Sequence, residues 1–349
     1  MASLAKEAAG AAAGGKSAAG SGSGSDDGGS GGGGGGDDLK SAKRLLEQDG
    51  YVVIDVLNEK QVDAFWDAAW NAMESAEHYD GSGSMGIKRD DPKTWTSKSG
   101  WPIGGPRGML QCGGWGQVPV CWMGREACRD AFAEVLGCQD LVTSFDGWCF
   151  RRPTQKNKKK PWFHIDQKES EGNEFSSFQG MLCLNTVGED DACFGVIPES
   201  HKHYEAVRQI CDKGWTYSDE QLAEIKEKLN LKPKRIPLKA GQLVLWDSRT
   251  SHSGMAAKKQ PKVNPANLRE GWRFMIYVSM LPKRGMDEAS KKRRRATFEE
   301  KRTSKHHPYL ALPFPRKFRY SRGQPPESTL ISYETMTPGQ RALLGWEQD

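Results

Sequence analysis

No two cysteines in this chain are spaced C-x-x-C; the eight fall at 112, 121, 128, 138, 149, 183, 193 and 211. That spacing argues against a zinc ribbon, and the apolar runs that hold most of them, such as MLCLN, argue against a small disulfide scaffold. The chain has no N-x-S/T acceptor. It has no apolar run of ~18 residues that could span a membrane. Near its first residue there is no apolar core of a secretory signal. Its first 38 residues contain no aromatic side chain and hold 14 of the 40 glycines, mixed mainly with Ala and Ser. Such a segment cannot bury enough apolar surface to offset the entropy of ordering it, so 1–38 is expected to be a disordered tail. The default setting is intracellular and reducing, cytoplasmic first, with nuclear and organellar addresses as alternatives.

What remains is rich in the side chains that build a core. Residues 39–349 hold all twelve tryptophans and are read as a single domain. Within it we expect an N-terminal helical region (39–138), a β core (139–282) and a basic, Pro-rich C-terminal extension (283–349). The net charge is +5, and the basic excess gathers in KNKKK (156–160) and KKRRR (291–295). Such runs are first of all solvated faces, with a nuclear address or an anionic partner as the alternatives.

Periodicity predicts helices over DLKSAKRLLEQ, over NEKQVDAFWDAAWNAMESAEHY with Asn58 as its cap, over ACRDAFAEVLG, and over SDEQLAEIKEKLN with Ser218 as its cap. Residues 80–121 read as a long irregular excursion. From 139 on, TSFDGWCFRR, PWFHIDQ, SSFQGMLCLNTV, CFGVIP, KRIPLKAG, QLVLWDS and EGWRFMIYVSML are short β-prone runs divided by turn residues. That pattern belongs to a mainly β sandwich or barrel.

The chemistry centres on PWFHIDQ. On a strand His164 and Asp166 point the same way, setting an imidazole beside a carboxylate. A buried structural pair is one reading. The other is that both are metal ligands, completed by His252, which follows an apolar strand and a short polar break. Two histidines and one carboxylate on one face of a metal form the facial triad of non-haem Fe(II) oxygenases. His201 and His203 fall in a polar loop after a proline turn, His306 and His307 in a basic irregular segment, and His78 at the end of an early helix; all are weaker candidates. Arg273 heads the apolar strand GWRFMIYVSML, where a guanidinium needs a carboxylate partner, and a dicarboxylic cosubstrate would supply one.

Together these stretches resemble the phytanoyl-CoA dioxygenase (PhyH-like) family of Fe(II)/2-oxoglutarate-dependent oxygenases. The resemblance runs in order through EQDGYVVIDVL (47–57), FHIDQ (163–167), CFGVIPESHKHY (193–204), AGQLVLWDSRTSHSG (240–254) and WRFMIYVSM (272–280). It departs from the family at Glu199, where glycine is usual, and at the insertion KKQPKVNPANLREG, which makes Arg269 a rival to Arg273. The resemblance implies a double-stranded β-helix (a cupin-like jelly roll) with flanking α-helices. It implies Fe(II) on His164, Asp166 and His252, 2-oxoglutarate on Arg273 with Gln179 nearby, and O2 as the oxidant. Hydroxylation of a small organic substrate, with release of succinate and CO2, is the implied reaction. An aspartate at 166, where halogenating relatives carry a small residue, favours hydroxylation over halogenation. Trp162, Arg151 and Arg152 are candidate substrate contacts, the arginines for an anionic group. The alternatives are a non-enzymatic jelly-roll binding module and an oxygenase acting on nucleic acid or protein; a nucleic-acid partner is disfavoured because no aromatic platform accompanies KNKKK.

Overall fold

Two helix starts are set by reciprocal capping. Asn58 Oδ1 accepts from Gln61 N at 3.0 Å while the Gln61 side chain accepts from Asn58 N at 2.9 Å, and Ser218 and Gln221 repeat the arrangement. In this computed structural model the described residues are 39–96, 98, 100–102, 107–155, 160–167, 172–211, 216–317 and 322–347. They fall within one compact unit, 36–349. The expected tail at 1–38 and all of KNKKK except Lys160 lie outside them.

The helices are α1 (Ala42–Asp49), α2 (Glu59–Glu74), α3 (Pro119–Leu136), α4 (Tyr204–Ile210), α5 (Asp219–Leu229), α6 (Glu288–Glu299) and α7 (Pro338–Ala342). The strands are β1 (Tyr51–Asp55), β2 (Glu77–His78), β3 (Met109–Leu110), β4 (Leu141–Thr143), β5 (Trp148–Arg151) and β6 (Phe178–Cys183), followed by β7 (Phe194–Val196), β8 (Lys234–Ile236), β9 (Gln242–Asp247), β10 (His252–Gly254), β11 (Arg273–Pro282) and β12 (Gly323–Gln324). A seven-stranded antiparallel sheet runs β1-β9-β6-β11-β5-β3, with β4 also on β11, and a three-stranded antiparallel sheet runs β10-β7-β8. The chain thus has the mainly β jelly-roll architecture with flanking helices.

Side-chain alternation gives the large sheet two apolar faces. Cys149, Met181, Cys183, Val244, Trp246 and Met275 pack with Phe194, Val196 and Ile236 of the small sheet. Their chain neighbours Phe150, Leu182, Leu243, Leu245, Phe274 and Ile276 face the opposite way, into the cluster formed with α2 and α3. In that layer the Phe150 ring lies within 4.5–6.1 Å of Trp66, Trp70, Trp101, Trp148, Trp272 and Phe274.

Four features differ from the expectations. PWFHIDQ is not a strand: Pro161 has no N–H for a ladder, and the segment makes only the isolated bridge His164↔His252. Helix α3 starts at Pro119, inside the stretch read as irregular, with its proline in the first turn. Helix α4 has no counterpart among the predicted helices. KKRRR is not a uniformly solvated run: it lies on α6, and Arg294 is fully buried. Its guanidinium donates to the carbonyls of Thr143, Pro308, Leu343 and Leu344 at 2.7–3.3 Å. Among the described residues, no helix is long and apolar enough to cross a membrane.

The aromatic layer yields a stability prediction. Phe150→Ala should cost about 3–5 kcal/mol by removing a buried ring with six aromatic neighbours. Urea unfolding would show it as a lower midpoint at unchanged slope.

Candidate metal centre

Two backbone hydrogen bonds, His164 N to His252 O at 3.1 Å and His252 N to His164 O at 3.0 Å, tie the irregular 161–167 segment to β10. They bring the two imidazole centroids to 4.4 Å. Asp166 follows two residues on, with Oδ1 3.4 Å from His164 Nε2 and Oδ2 3.4 Å from His252 Nε2. One ligand atom from each of the three lies within 4.8 Å of the others. A bridge, rather than a strand, thus brings the three side chains together.

The proton positions follow from the partners. His164 Nδ1 lies 2.9 Å from Trp162 O and His252 Nδ1 lies 3.0 Å from Thr250 O. A carbonyl only accepts, so each Nδ1 carries the hydrogen and, in the neutral ring, each Nε2 presents a lone pair inward. Burial, then the neighbouring His252, pushes His164 below its ordinary pKa and favours that neutral ring. Burial alone would raise the Asp166 carboxyl, but the neighbouring His306 outweighs it and holds it well below the usual carboxylate range. Two imidazole lone pairs and a carboxylate therefore converge on one point. This donor set fits a divalent metal of the iron group, with neutral imidazoles and one hard oxygen on a single side.

Neighbouring side chains hold the three groups in place. Gln179 Nε2 donates to Asp166 Oδ2 at 3.1 Å, and its Oε1 accepts from Trp246 Nε1 at 2.7 Å. Trp162 stacks on the His164 ring at 4.3 Å and 10°, and the Arg107 guanidinium covers the Trp162 ring at 3.8 Å.

Arg273 heads β11 and alternates with Met275 onto the face between the sheets. It is buried, and its Nε donates to Ala192 O at 3.0 Å. The rest of its fork faces Cys149 Sγ at 3.8 Å, Met181 Sδ at 3.6 Å and the side chain of Tyr277. Among the described residues no carboxylate pairs with it. Its rival Arg269 is exposed on the helical side, ion-paired with Asp63 and lying over Trp66.

The two other arginines part company. Arg151 pairs in register with Arg273 and donates to Gln155 O at 2.8 Å. Arg152 lies over Trp101 in the helix-side aromatic layer, on the far face of the sheet from His164. His201 contacts Glu47 O at 3.2 Å, away from the cluster.

The sequence reading set His306 aside as a weaker candidate and did not consider Asp146. His306 reaches the site from the C-terminal extension, with Nδ1 on Asp146 Oδ2 and Nε2 3.6 Å from Asp166 Oδ2. Two adjacent histidines in a basic loop carry no pattern that marks one of them as inward-facing.

The phytanoyl-CoA dioxygenase (PhyH) family profile matches residues 125–258, a stretch that holds His164, Asp166 and His252 but not Arg273. The chain is 28% identical over 250 residues to Ava biosynthesis cluster protein O of Aspergillus versicolor, covering 64% of this chain and 74% of that protein. It is similar in structure to the non-heme alpha-ketoglutarate-dependent carbocyclase SnoK from nogalamycin biosynthesis, with TM-score 0.46, 18% identity, and 72% and 88% of the two chains covered. Another similar structure is Fe-bound EctD from S. alaskensis, with TM-score 0.44, 14% identity, and 70% and 77% covered.

Gln179→Leu should cost about 1–3 kcal/mol, because the buried Trp246 Nε1 loses its acceptor. Gln179→Glu keeps that acceptor but sets a second carboxylate against Asp166. Thermal unfolding of the two variants without metal separates these effects.

Proposed function

We propose that this chain, whose residues 125–258 match the phytanoyl-CoA dioxygenase family profile, is an iron/2-oxoglutarate oxygenase that hydroxylates a small organic substrate, with His164, Asp166 and His252 holding the metal and Arg273 holding the cosubstrate. The observation that carries this reading is the convergence of two inward Nε2 lone pairs on an ionised Asp166. Three electron-rich groups at this spacing are mutually unfavourable without a cation among them. When bound, Fe(II) with 2-oxoglutarate and O2 supplies oxidative decarboxylation to succinate and CO2, coupled to hydroxylation of the substrate.

The side chains supply binding and order. Arg273 offers a charged fork, buried between the sheets, to the far carboxylate of 2-oxoglutarate; bidentate pairing there fixes the cosubstrate's direction as well as its affinity. Cys149, Met181, Phe194 and Trp246 keep the surroundings apolar, which strengthens each charge interaction and limits water. Gln179 restrains the carboxylate, and the Trp162 ring restrains the His164 imidazole. Asp166 completes the three-ligand set that hydroxylation needs. Arg151, on the same face as Arg273, remains a candidate contact for an anionic substrate group, whereas Arg152 does not share that face.

Anaerobic titration with Fe(II) and 2-oxoglutarate should produce the weak visible charge-transfer absorption of a 2-oxo acid chelated to ferrous iron. His252→Ala should abolish it while the protein stays folded. Arg273→Met should raise the half-saturating 2-oxoglutarate concentration about 30-fold or more, the equivalent of losing one partner of a buried charge pair. A folded, iron-loaded wild type with no such absorption would overturn the reading.

A further inference from the structure

The C-terminal extension has its own fixed path to the metal centre. Thr303 and Ser304 are fully buried. Thr303 N donates to Gly113 O at 2.8 Å, Ser304 N donates to Phe145 O at 2.9 Å, and Phe145 N donates back to Ser304 Oγ at 3.1 Å. Two residues later His306 emerges beside Asp146. That carboxylate is 1% exposed and is itself held by Gln111 Nε2 at 2.8 Å and Gly147 N at 2.6 Å. Asp146 thus orients His306 much as a backbone carbonyl orients His164 and His252.

Both ring nitrogens of His306 face carboxylate oxygens, Nδ1 toward Asp146 and Nε2 toward Asp166 Oδ2 at 3.6 Å. The Asp146 carboxylate accepts from Nδ1, which fixes the ring, and Nε2 is held 3.6 Å from Asp166 Oδ2. Asp166 needs such a neighbour. Residues 165–167 belong to no strand, so the backbone ladder does not fix this side chain as it fixes Gln179 on β6. Gln179 restrains the Oδ2 oxygen at 3.1 Å, and His306 faces the same oxygen.

We propose that His306, locked by Asp146, is a positioning residue that sets the Asp166 carboxylate for metal binding, so that the segment around 303–306 completes a centre whose three ligands all precede it. The inference rests on the reading of Asp166 as a metal ligand. Outer partners of metal ligands commonly contribute 10–100-fold in affinity.

The test is a titration of the full chain with Co(II) alone, followed by its visible ligand-field bands, in wild type, His306→Ala, His306→Gln and Asp146→Asn. Melting temperatures without metal report folding. The expected result is an affinity loss of about tenfold or more in His306→Ala with altered bands, part of it restored in His306→Gln, and a smaller loss in Asp146→Asn. A folded His306→Ala that binds Co(II) with wild-type affinity and spectrum would overturn the proposal. If His306→Ala does not fold, wild-type binding by both His306→Gln and Asp146→Asn would overturn it equally. If the wild type itself binds no Co(II), the metal reading of Asp166 falls and this inference falls with it.

Discussion

The molecule turns on one isolated bridge. His164 and His252 exchange a pair of backbone hydrogen bonds at 3.1 and 3.0 Å although 88 residues separate them in sequence. His252 belongs to the small sheet, through the pairing of β10 with β7. The segment that carries His164 has no ladder of its own. The bridge therefore fixes the segment that carries His164 and Asp166 at the edge of a sheet whose position is set by the core between the sheets. Much of the surrounding structure serves to keep that edge still: Thr250 and Trp162 carbonyls fix the ring tautomers, Gln179 restrains the carboxylate, and Trp162 covers one imidazole face.

The two faces of the large sheet divide the work. The face toward α2 and α3 is filled by large aromatic rings, which contribute stability through buried area and edge-to-face contacts. The opposite face carries Cys149, Met181, Cys183, Met275 and Trp246 alongside the polar Arg273 and Gln179. Because side chains alternate, β5 sends Arg151 to one face, and the residue just beyond the strand, Arg152, goes to the other. A single register position thus separates an arginine near Arg273 from one stacked on Trp101.

Local signals were legible in the sequence wherever the physics is local. Asn58 and Ser218 cap helices because their side chains bond an amide three residues on, and the β-prone runs from 178 to 282 form strands because their alternation suits a buried sheet. The proposed ligand set rests on a different kind of signal: an H-x-D pair, a distal histidine after an apolar strand and an arginine at a strand head make a specific combination in order. Long-range features were not legible. His306 faces Asp166 only because Thr303 docks on Gly113 and Ser304 on Phe145, and Arg294 is buried only because four carbonyls from three distant segments converge on it. Glu199 marks the boundary between the two kinds of information. It stands where the resembled family has glycine, and its φ of 64° is the left-handed conformation that glycine adopts without strain. The turn is kept, and this chain carries the backbone cost of keeping it.

The buried charges extend the same logic. Arg125 donates to Gly116 O and to Asp146 O, both at 2.7 Å, while the Asp146 side chain holds His306. A guanidinium buried on α3 thereby fixes the backbone of the residue whose carboxylate orients an imidazole beside Asp166. Burial pulls the Arg125 pKa down to about 10, still far enough above neutrality for the charge to persist. Removing such a charge strands two carbonyls; adding an uncompensated one costs more. The arrangement therefore resists piecemeal change: α3, the 144–147 loop and the C-terminal extension meet at Asp146, and alteration of any one of them is felt two contacts later, at the carboxylate between His164 and His252.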